Sequence, residues 1–410
     1  MGDRINLCML APEFFPVWGG VGSYTVELLK SLPENVNLHV VTLKRDIPGW
    51  SGKEYSSQHI SSILNRPINI HYLSMSKETF LYNLPFQIAC LRQIPSLHRE
   101  HHFDIIHSHL CHMPDVFLKL LVRLPVPTVL TVHGTIQMLR GHAILARSMF
   151  GGLESSESSI LNFYPIIELL QQKYVKKVDR LIAVSKATKK FAVEDLKVSE
   201  ERVSLVYNGV DTKLFNLPNN DRLETKYSKP TVVYIGRVIA KKGIDVLIDA
   251  MPEVLRSCPE TQFVFVGGGN VEFYRNKIVG LGIPEKNYVF LGHLGYYERS
   301  KILQEATVFV NPSFFENFSI SILEAMSSGC AVIACNVGGN PELINVGKNG
   351  LLVPAFDSTN LGKSIVALLE DESLNRKMGT EARKTIEESF SSKICAEVTY
   401  EVYKQTINHF

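Results

Sequence analysis

No run of about 18 uncharged apolar residues occurs in this 410-residue chain, because Lys119 and Arg123 interrupt its best candidate. A membrane-spanning helix is therefore not expected. An excess of charge is also missing, since 43 Lys and Arg stand against 41 Asp and Glu, a formal net charge of +2. A dedicated nucleic-acid-binding protein would be more basic, so no nucleic-acid partner is predicted.

The cysteines include no Cys-x-x-Cys pair, and their number, seven, is odd. Such scattered cysteines are typical of free thiols in a reducing cytoplasm. Cys330 and Cys335 flank an apolar strand-like run and are predicted to lie in the core. The chain starts without a signal-peptide pattern, which favours the same compartment. Its length, with 45% hydrophobic residues, predicts two globular domains.

Short apolar runs that end at glycine-containing or polar turns recur along the chain, as in sheets of parallel strands. The first run, Ile5–Leu10, leads through Gly19 and Gly20 into a predicted helix. Free backbone N–H groups at such a turn suit a phosphate or a sugar hydroxyl. A dinucleotide fingerprint needs a further glycine where this chain has Thr25, so NAD binding is only weakly indicated.

Histidines stand at the ends of two further predicted strands. His107, His109 and His112 are close to the end of one, and His133 ends the other. Ligands of doubly wound sheets bind beyond the carboxyl ends of strands, so His133 is placed where a substrate would lie. A metal site at the other three histidines is weaker than site lining or packing, because no carboxylate stands at a convincing spacing.

The second half of the chain begins a new series of strands and helices at residue 231. Arg237 and Lys242 share the first loop of this series, so both are predicted to face one anion at a helix N-terminus. A departing nucleotide diphosphate is such an anion. Gly267 follows the next strand in a turn that suits close approach of a nucleotide, and His293 ends the strand after that.

Two carboxylates frame the loop and helix that follow a predicted strand at residues 307–310. Glu316 lies in the loop and Glu324 in the helix, with seven residues between them, and Gly329 is placed to end the helix. Acids in this position can accept hydrogen bonds from ligand hydroxyls. An isolated pair is more often a solvated loop acid and a surface helix acid, but the motifs elsewhere in the chain favour the functional interpretation.

Three segments of the first half have a distinctive composition. Residues 45–66 are polar and are predicted to form a long loop, which the family resemblance described below would place on the acceptor side. Residues 136–172 are predicted to form helices around a loop, and their apolar side chains belong either to ordinary core or to a surface that admits a lipid-linked molecule. Residues 173–190 hold seven basic side chains and one acidic side chain, Asp179. This pattern is typical of a solvated helix face or of one attracted to an anionic membrane.

In their order along nearly the whole chain, these motifs resemble those of the family 4 retaining glycosyltransferases, including the Glu-x7-Glu segment. The resemblance implies an α/β GT-B fold, two Rossmann-like doubly wound domains that face a central cleft. The boundaries that it implies are 1–211 for an acceptor-side domain, 212–229 for a linker, 230–390 for a nucleotide-sugar-binding domain and 391–410 for a helix that crosses back.

The reaction implied by the resemblance is metal-independent, retaining transfer of a hexose-type sugar from a UDP-, GDP- or ADP-sugar to a hydroxyl. The acceptor is a glycan, a lipid-linked molecule or a small molecule, and no cofactor is expected. A nucleotide-sugar epimerase of the same fold and an inactive relative that only binds nucleotide or glycan remain as alternatives. Localisation is predicted as cytoplasmic, with peripheral contact at an anionic inner membrane face left open, as is the oligomeric state.

The resemblance also assigns roles. Arg237 and Lys242 would stabilise the departing diphosphate, Glu324 would bind the ribose hydroxyls, and Glu316 would bind the sugar hydroxyls. The catalytic set is then His133, Arg237, Lys242 and Glu316. The donor-binding set is Gly19, Gly20, Arg237, Lys242, Gly267, His293, Asn317, Phe318, Ser319 and Glu324.

One departure from the family pattern concerns the donor sugar. The family usually has Glu-Gly-Phe-Gly where this chain has Glu316-Asn317-Phe318-Ser319. Glycine eases a tight approach of backbone to ligand. The two larger residues are therefore expected to shift the donor-sugar preference.

Overall fold

The computed structural model describes residues 4–15, 19–46, 52–76, 83–150, 155–216 and 229–410. The chain divides into two compact units. The first unit comprises Met1–Ile144, Leu153–Gly209 and Ser392–Phe410, and the second comprises Leu145–Gly152 and Val210–Ser391. Most of the predicted linker at 212–229, namely 217–228, lies outside the described residues.

Each unit contains a parallel β-sheet, whose central strands are apolar runs that are buried on both faces. The described strands are β1 Ile5–Leu10, β2 Val36–Arg45, β3 Asn69–Ser76, β4 Ile105–His109, β5 Thr128–Val132, β6 Arg180–Ala183, β7 Val203–Leu205, β8 Thr231–Ile235, β9 Gln262–Val266, β10 Tyr288–Gly292, β11 Val308–Asn311, β12 Ala331–Cys335 and β13 Leu351–Val353.

Helices connect most successive strands, as parallel pairing requires. The described α-helices are α1 Gly20–Ser31, α2 Ser57–Leu64, α3 Leu84–His101, α4 Val116–Leu121, α5 Ile136–Phe150, α6 Ser155–Lys176, α7 Lys186–Glu194, α8 Ile244–Ser257, α9 Val271–Gly280, α10 Tyr296–Glu305, α11 Ile320–Ser327, α12 Asn340–Leu343, α13 Ser358–Glu370, α14 Glu372–Ser389 and α15 Ser392–Asn408.

The strand order reverses once in each sheet. The first sheet runs β3-β2-β1-β4-β5-β6-β7, and the second runs β10-β9-β8-β11-β12-β13. At each reversal, between β1 and β4 and between β8 and β11, the following loops diverge and leave a crevice at the carboxyl ends of the strands. Both units are therefore doubly wound, as the sequence predicts.

The prediction of one long loop over residues 45–66 is wrong. Residues 57–64 form α2, whose first turn is capped by the Ser56 hydroxyl accepting a hydrogen bond from the His59 amide. Asn65 ends the helix in the left-handed conformation, with a φ of 51°. Ile60 and Leu64, four residues apart, are buried on one side of it. The polar composition of residues 45–66 therefore did not indicate this short amphipathic helix, which Ser56 and Asn65 cap at its two ends.

The terminal helix packs within the first unit, and the two cysteines predicted to lie in the core are buried. The amphipathic stretch before the C-terminus forms α15, which packs against α1 in the first unit. Cys330 and Cys335 are buried, and all seven cysteines are free thiols. Among the described residues, no helix has both the length and the apolar character needed to cross a membrane.

Candidate functional site

In the first unit, the crevice between β1 and β4 contains an ion pair that the sequence did not predict. Glu13 follows β1, and its Oε2 lies 3.4 Å from Nε2 of His112, which follows β4. The carboxylate also accepts hydrogen bonds from the backbone N–H groups of Gly19 and Gly22. The glycine turn therefore directs two of its amides to a protein carboxylate, and Glu13 joins three segments of the chain at this edge of the sheet.

The pKa shifts of this pair favour its charged form. Burial alone lowers the pKa of His112, but Cys111 and the Glu13 carboxylate raise it to about 10. Burial alone raises the pKa of Glu13, yet the bonds to His112, Gly22 and Gly19 lower it below its usual value. Both directions describe an imidazolium facing a carboxylate in a site that contains little water.

His133, which directly follows β5, is part of a group of neutral histidines beside that pair. Its Nε2 lies 3.2 Å from Nδ1 of His109, whose Nε2 lies 3.2 Å from the Thr25 hydroxyl. The Tyr24 ring packs edge-on against His133, with ring centroids 4.7 Å apart. Burial, followed by the charge on His112, lowers the pKa of His133 to about 3. A neutral imidazole in this position can donate or accept a hydrogen bond, as contact with a sugar hydroxyl requires.

His107 is fully buried, and its ring forms hydrogen bonds within the core. Its Nδ1 lies 2.6 Å from the hydroxyl of Tyr403 in α15, and its Nε2 lies 2.7 Å from the hydroxyl of Thr131. Burial lowers its pKa to about 3. Both ring nitrogens of His107 thus have hydrogen-bond partners within the protein. This agrees with the interpretation of the strand-end histidines as packing residues.

In the second unit, glycines bring four strand-end loops into close contact. A Cβ on Gly243 would lie 1.8 Å from the carbonyl oxygen of Pro312, and one on Gly338 would lie 1.6 Å from that of Glu316. A Cβ on Gly267 would likewise lie 1.8 Å from the carbonyl oxygen of Gly236. All three glycines have positive φ, so both space and conformation require glycine there. The loops after β8, β9, β11 and β12 are therefore held together at the carboxyl ends of their strands.

Lys242 and Glu316 meet at this convergence. Lys242 Nζ donates to Glu316 Oε1 at 2.5 Å, and Asn311 at the end of β11 donates to the same oxygen at 3.4 Å. The side chains are partly buried, 26% exposed for Lys242 and 11% for Glu316. The loops that supply them follow β8 and β11, the two strands at which the order of this sheet reverses. The predicted anion-binding lysine and the predicted sugar-binding acid therefore share one place.

Glu324 lies deeper, on α11, and its side chain is only 2% exposed. Arg299 of α10 donates to its Oε1 at 2.6 Å. Burial raises the pKa of Glu324, while the charge and hydrogen bond of Arg299 lower it, and the net direction is upward. The interpretation of Glu324 as a surface helix acid is therefore wrong. Any ribose hydroxyl that it binds must share the carboxylate with a guanidinium.

Ser319, one of the two residues that stand where the family usually has glycine, forms hydrogen bonds within the protein. Its hydroxyl accepts the Ile322 amide as the N-cap of α11 and accepts a hydrogen bond from Asn311 at 3.1 Å. The side chain of Ser319 is buried, that of Phe318 packs on Phe390 with ring centroids 5.4 Å apart, and Asn317 is partly exposed. Ser319 therefore extends into the protein and caps the helix that begins this part of the site.

The other predicted donor-binding residues occupy more open positions. Arg237 is exposed in the loop after β8, and its carbonyl oxygen accepts a hydrogen bond from the Tyr234 hydroxyl at 2.7 Å. His293 is exposed after β10, which lies three strands from β11. At about 4.8 Å per strand, the end of β10 lies roughly 14 Å from that of β11. The structure thus groups Lys242 and Glu316 with the Arg237 loop and leaves His293 at the sheet edge.

Three polar residues of these sites were not predicted from the sequence: Glu13, Arg299 and Asn311. Two of them had a usable signal, because Glu13 and Asn311 each stand at or just beyond the end of a strand beside a reversal of strand order. Arg299 lies within a helix among other charged residues. Nothing in that pattern indicates that its side chain reaches Glu324.

Sequence profiles of two families match the chain in succession. The profile described as Glycosyltransferase Family 4 matches residues 18–214, and the one described as Glycosyl transferases group 1 matches residues 219–385. The chain belongs to the family 4, group 1 glycosyltransferases. It is thus a transferase enzyme, as the resemblance implied.

Relatives and solved structures agree with this glycosyltransferase assignment. An uncharacterized glycosyltransferase of Methanocaldococcus jannaschii is 26% identical, over 98% of both chains. Sucrose-phosphate synthase from Thermosynechococcus elongatus superposes with a TM-score of 0.76 at 20% identity, over 99% of this chain and 100% of that one. The Anabaena protein HepE, solved in complex with UDP-glucose, has a TM-score of 0.73 at 18% identity, over 98% and 100%. The glycosyltransferase therefore has the two-domain α/β GT-B fold.

Proposed function

We propose that the protein transfers a hexose-type sugar from a nucleotide diphosphate sugar to a hydroxyl, with retention of anomeric configuration and without a metal ion. The observation that carries the proposal is the Lys242–Glu316 pair at the reversal of strand order in the second unit. A cation for the diphosphate and a carboxylate for the sugar hydroxyls are the two groups that such a donor requires.

The donor and the ion pair compete for the same lysine. Without donor, the Glu316 carboxylate neutralises Lys242 at 2.5 Å. A bound diphosphate presents more negative charge to Lys242, with Arg237 in the same loop as a second cation. Glu316 is then free to accept hydrogen bonds from the sugar, so that a single exchange of partners couples diphosphate binding to sugar binding.

The donor class is supported by a relative rather than by a ligand of this chain. HepE, which shares the fold, was solved in complex with UDP-glucose. We therefore test UDP-glucose first, with GDP- and ADP-glucose as the other candidates. In the first unit, we assign contacts with the transferred sugar and the acceptor to His133 and to the Gly19–Gly20 turn. We also propose that Glu324 binds the ribose hydroxyls from beside Arg299.

A membrane-bound acceptor is supported by the exposed surface of α6. Phe163, Ile166 and Leu169 are each more than half exposed and recur about once per helical turn. Exposed Lys173 and Lys176 continue the same spacing toward the end of the helix. An apolar stripe beside basic side chains suits an anionic membrane surface. We propose that α6 brings the enzyme to the cytoplasmic face of such a membrane, where a lipid-linked acceptor would be found.

The test is release of nucleotide diphosphate from each sugar nucleotide, with and without candidate hydroxyl acceptors and in the presence of a chelator. Arg237→Ala and Lys242→Ala are each expected to reduce release by about 100- to 1,000-fold, as loss of one transition-state charge contact typically does. Lys241→Ala is the matched control, because it removes a neighbouring charge and should leave most of the activity.

Product analysis separates the alternatives. A new α-linked product from an α-linked donor shows transfer with retention, whereas an altered free sugar without acceptor indicates an epimerase. Full activity of both Arg237→Ala and Lys242→Ala, or complete inhibition by the chelator, would contradict the proposal.

A further inference from the structure

Three histidines meet in the first unit at a place unrelated to the residues described above. His39 lies in the first half of β2, His71 lies in β3, and His101 lies in the last turn of α3. His39 is paired in register with Asn69, and His71 is two residues further along β3. His39 and His71 therefore project from the same face of the sheet, the face on which α3 packs against β3.

The three imidazoles form a compact cluster. One ring nitrogen from each lies within 4.8 Å of those from the other two. His39 Nδ1 and His71 Nε2 are 3.2 Å apart, and the His39 and His101 ring centroids are 4.5 Å apart. His39 is buried, whereas His71 and His101 are partly exposed, so the cluster is open to solvent on one side.

We propose that His39, His71 and His101 form a binding site for a divalent transition-metal ion of the zinc class. Imidazole nitrogen is a preferred ligand of Zn²⁺, Ni²⁺ and Cu²⁺, and three histidines suffice for a tetrahedral site that keeps one position for another ligand.

The observed spacing is close to what tetrahedral coordination needs. With Zn–N distances of about 2.05 Å, two ligand nitrogens of a tetrahedron lie about 3.3 Å apart. The His39–His71 separation of 3.2 Å meets that requirement. The remaining separations of up to 4.8 Å close by rotation and a small shift of the more exposed rings, above all that of His101.

A fourth ligand is available from the neighbouring residue. Glu100 Oε1 lies 3.7 Å from His101 Nε2, and the Glu100 side chain is 69% exposed and able to turn. A carboxylate oxygen or a water molecule completes the coordination.

Binding requires a change of tautomer within the His39–His71 pair. Without metal, one of the facing nitrogens of His39 and His71 donates its hydrogen to the other. When the ion binds, that hydrogen moves to the opposite nitrogen of its ring, and both facing lone pairs become ligands. The ion would then link β2, β3 and the end of α3.

The site is separate from the proposed sugar-transfer chemistry. Glu13 and His133 follow the carboxyl ends of their strands, whereas His39 is the fourth residue of the ten in β2. The metal-independence of transfer and the presence of this ion are therefore compatible, and each is tested by its own measurement.

The experiment is a Zn²⁺ titration of the full chain after treatment with a chelator and desalting, with Co²⁺ as a spectroscopic probe. We expect one tightly bound ion per chain and the visible absorption bands of tetrahedral Co²⁺. Loss of a residue that only supports a metal ligand typically weakens metal binding by about 10- to 100-fold. His71→Ala and His101→Ala each remove a ligand, so each should weaken Zn²⁺ binding by more than that. Both side chains are partly exposed, so these variants should fold, as a far-ultraviolet circular dichroism spectrum checks.

His102→Asn is the matched control, because His102 is the exposed neighbour of His101 and asparagine tolerates its left-handed conformation, with a φ of 49°. This variant should bind Zn²⁺ like the parent chain. A parent chain that binds no Zn²⁺ would show that the cluster is only a hydrogen-bonded histidine group. Retention of the ion by both His71→Ala and His101→Ala, or its loss in the control His102→Asn, would also overturn the proposal.

Discussion

The buried Glu13–His112 pair predicts a stability effect with a defined pH dependence. We consider His112→Gln, which keeps a hydrogen-bond donor of similar size but removes the positive charge. His112 is 1% exposed and Glu13 is 12% exposed, so the substitution leaves a carboxylate in a site with little water. Removal of one partner from a buried pair typically costs about 3–5 kcal/mol.

The structure favours the lower end of that range. Glu13 keeps its hydrogen bonds from the amides of Gly19 and Gly22 in the variant, so the carboxylate is not left without partners. We therefore expect His112→Gln to lower the free energy of unfolding of the first unit by about 3 kcal/mol near neutral pH.

The sign of the pH dependence follows from the raised pKa of His112. The pKa is about 10 in the folded protein and 6.5 in the reference state. The stabilising contribution of the imidazolium is therefore complete below about pH 6.5 and is lost as the pH rises toward 10. The difference between parent and variant should be largest near pH 6 and should become small near pH 10. At low pH it shrinks again, once Glu13 becomes protonated.

The assay is amide hydrogen exchange of β1 and β4 between pH 6 and pH 10, because exchange reports the opening of the first unit separately from the second. His107→Gln is the contrasting control. The pKa of His107 is lowered to about 3, so its contribution is present above pH 6.5 and is lost only as the pH falls. An equal loss of protection in His112→Gln at pH 6 and pH 10, or a loss below about 1 kcal/mol, would refute the reasoning.

Two further predictions concern the second unit. Gly338→Ala places a Cβ 1.6 Å from the Glu316 carbonyl oxygen at a φ of 51°, and should displace the loop and strongly reduce nucleotide release. Gly347→Ala, at a φ of 78° and with no atom of the described residues within 4 Å of the added Cβ, should cost only about 1–2 kcal/mol of stability and retain activity; equal activity of the two variants would contradict this assignment. Arg299→Met should lower the free energy of unfolding by about 3 kcal/mol at neutral pH, because it leaves the buried Glu324 without its guanidinium. The raised pKa of Glu324 should rise further in that variant, so denaturation curves should show the deficit shrinking as the pH falls; a constant deficit would contradict it.

Local features of the sequence predicted the buried parallel strands, and the resemblance in motif order implied the two-domain GT-B fold. Apolar runs such as Ile5–Leu10 and Ala331–Cys335 are short and apolar on both faces, which defines buried parallel strands. The positions of His133, Arg237, Lys242 and Glu316 after such strands placed them at the carboxyl edges of the sheets. These inferences need only the alternation of strand, turn and helix, which is encoded by residues close together in the chain.

The ion pairs were decided by tertiary structure. Glu13 meets His112 only because β1 lies beside β4 in the sheet, and Arg299 meets Glu324 only because α10 packs beside α11. The contact of Lys242 with Glu316 likewise depends on β8 lying beside β11. Side-chain periodicity specifies which face of an element is apolar, but it carries no information on which elements become neighbours.

The histidines show most clearly which features depend on local sequence and which depend on tertiary structure. The sequence placed His133 correctly beyond a strand, because a strand end is a local feature. It gave no signal for His39, His71 and His101, which come from three separate elements and meet only through the register of β2 with β3 and the packing of α3. Sequence alone determined the fold class, the family and the sheet edges that bear the site. The distances between charged groups, and with them the pKa values, exist only once long-range strand order and helix packing are set.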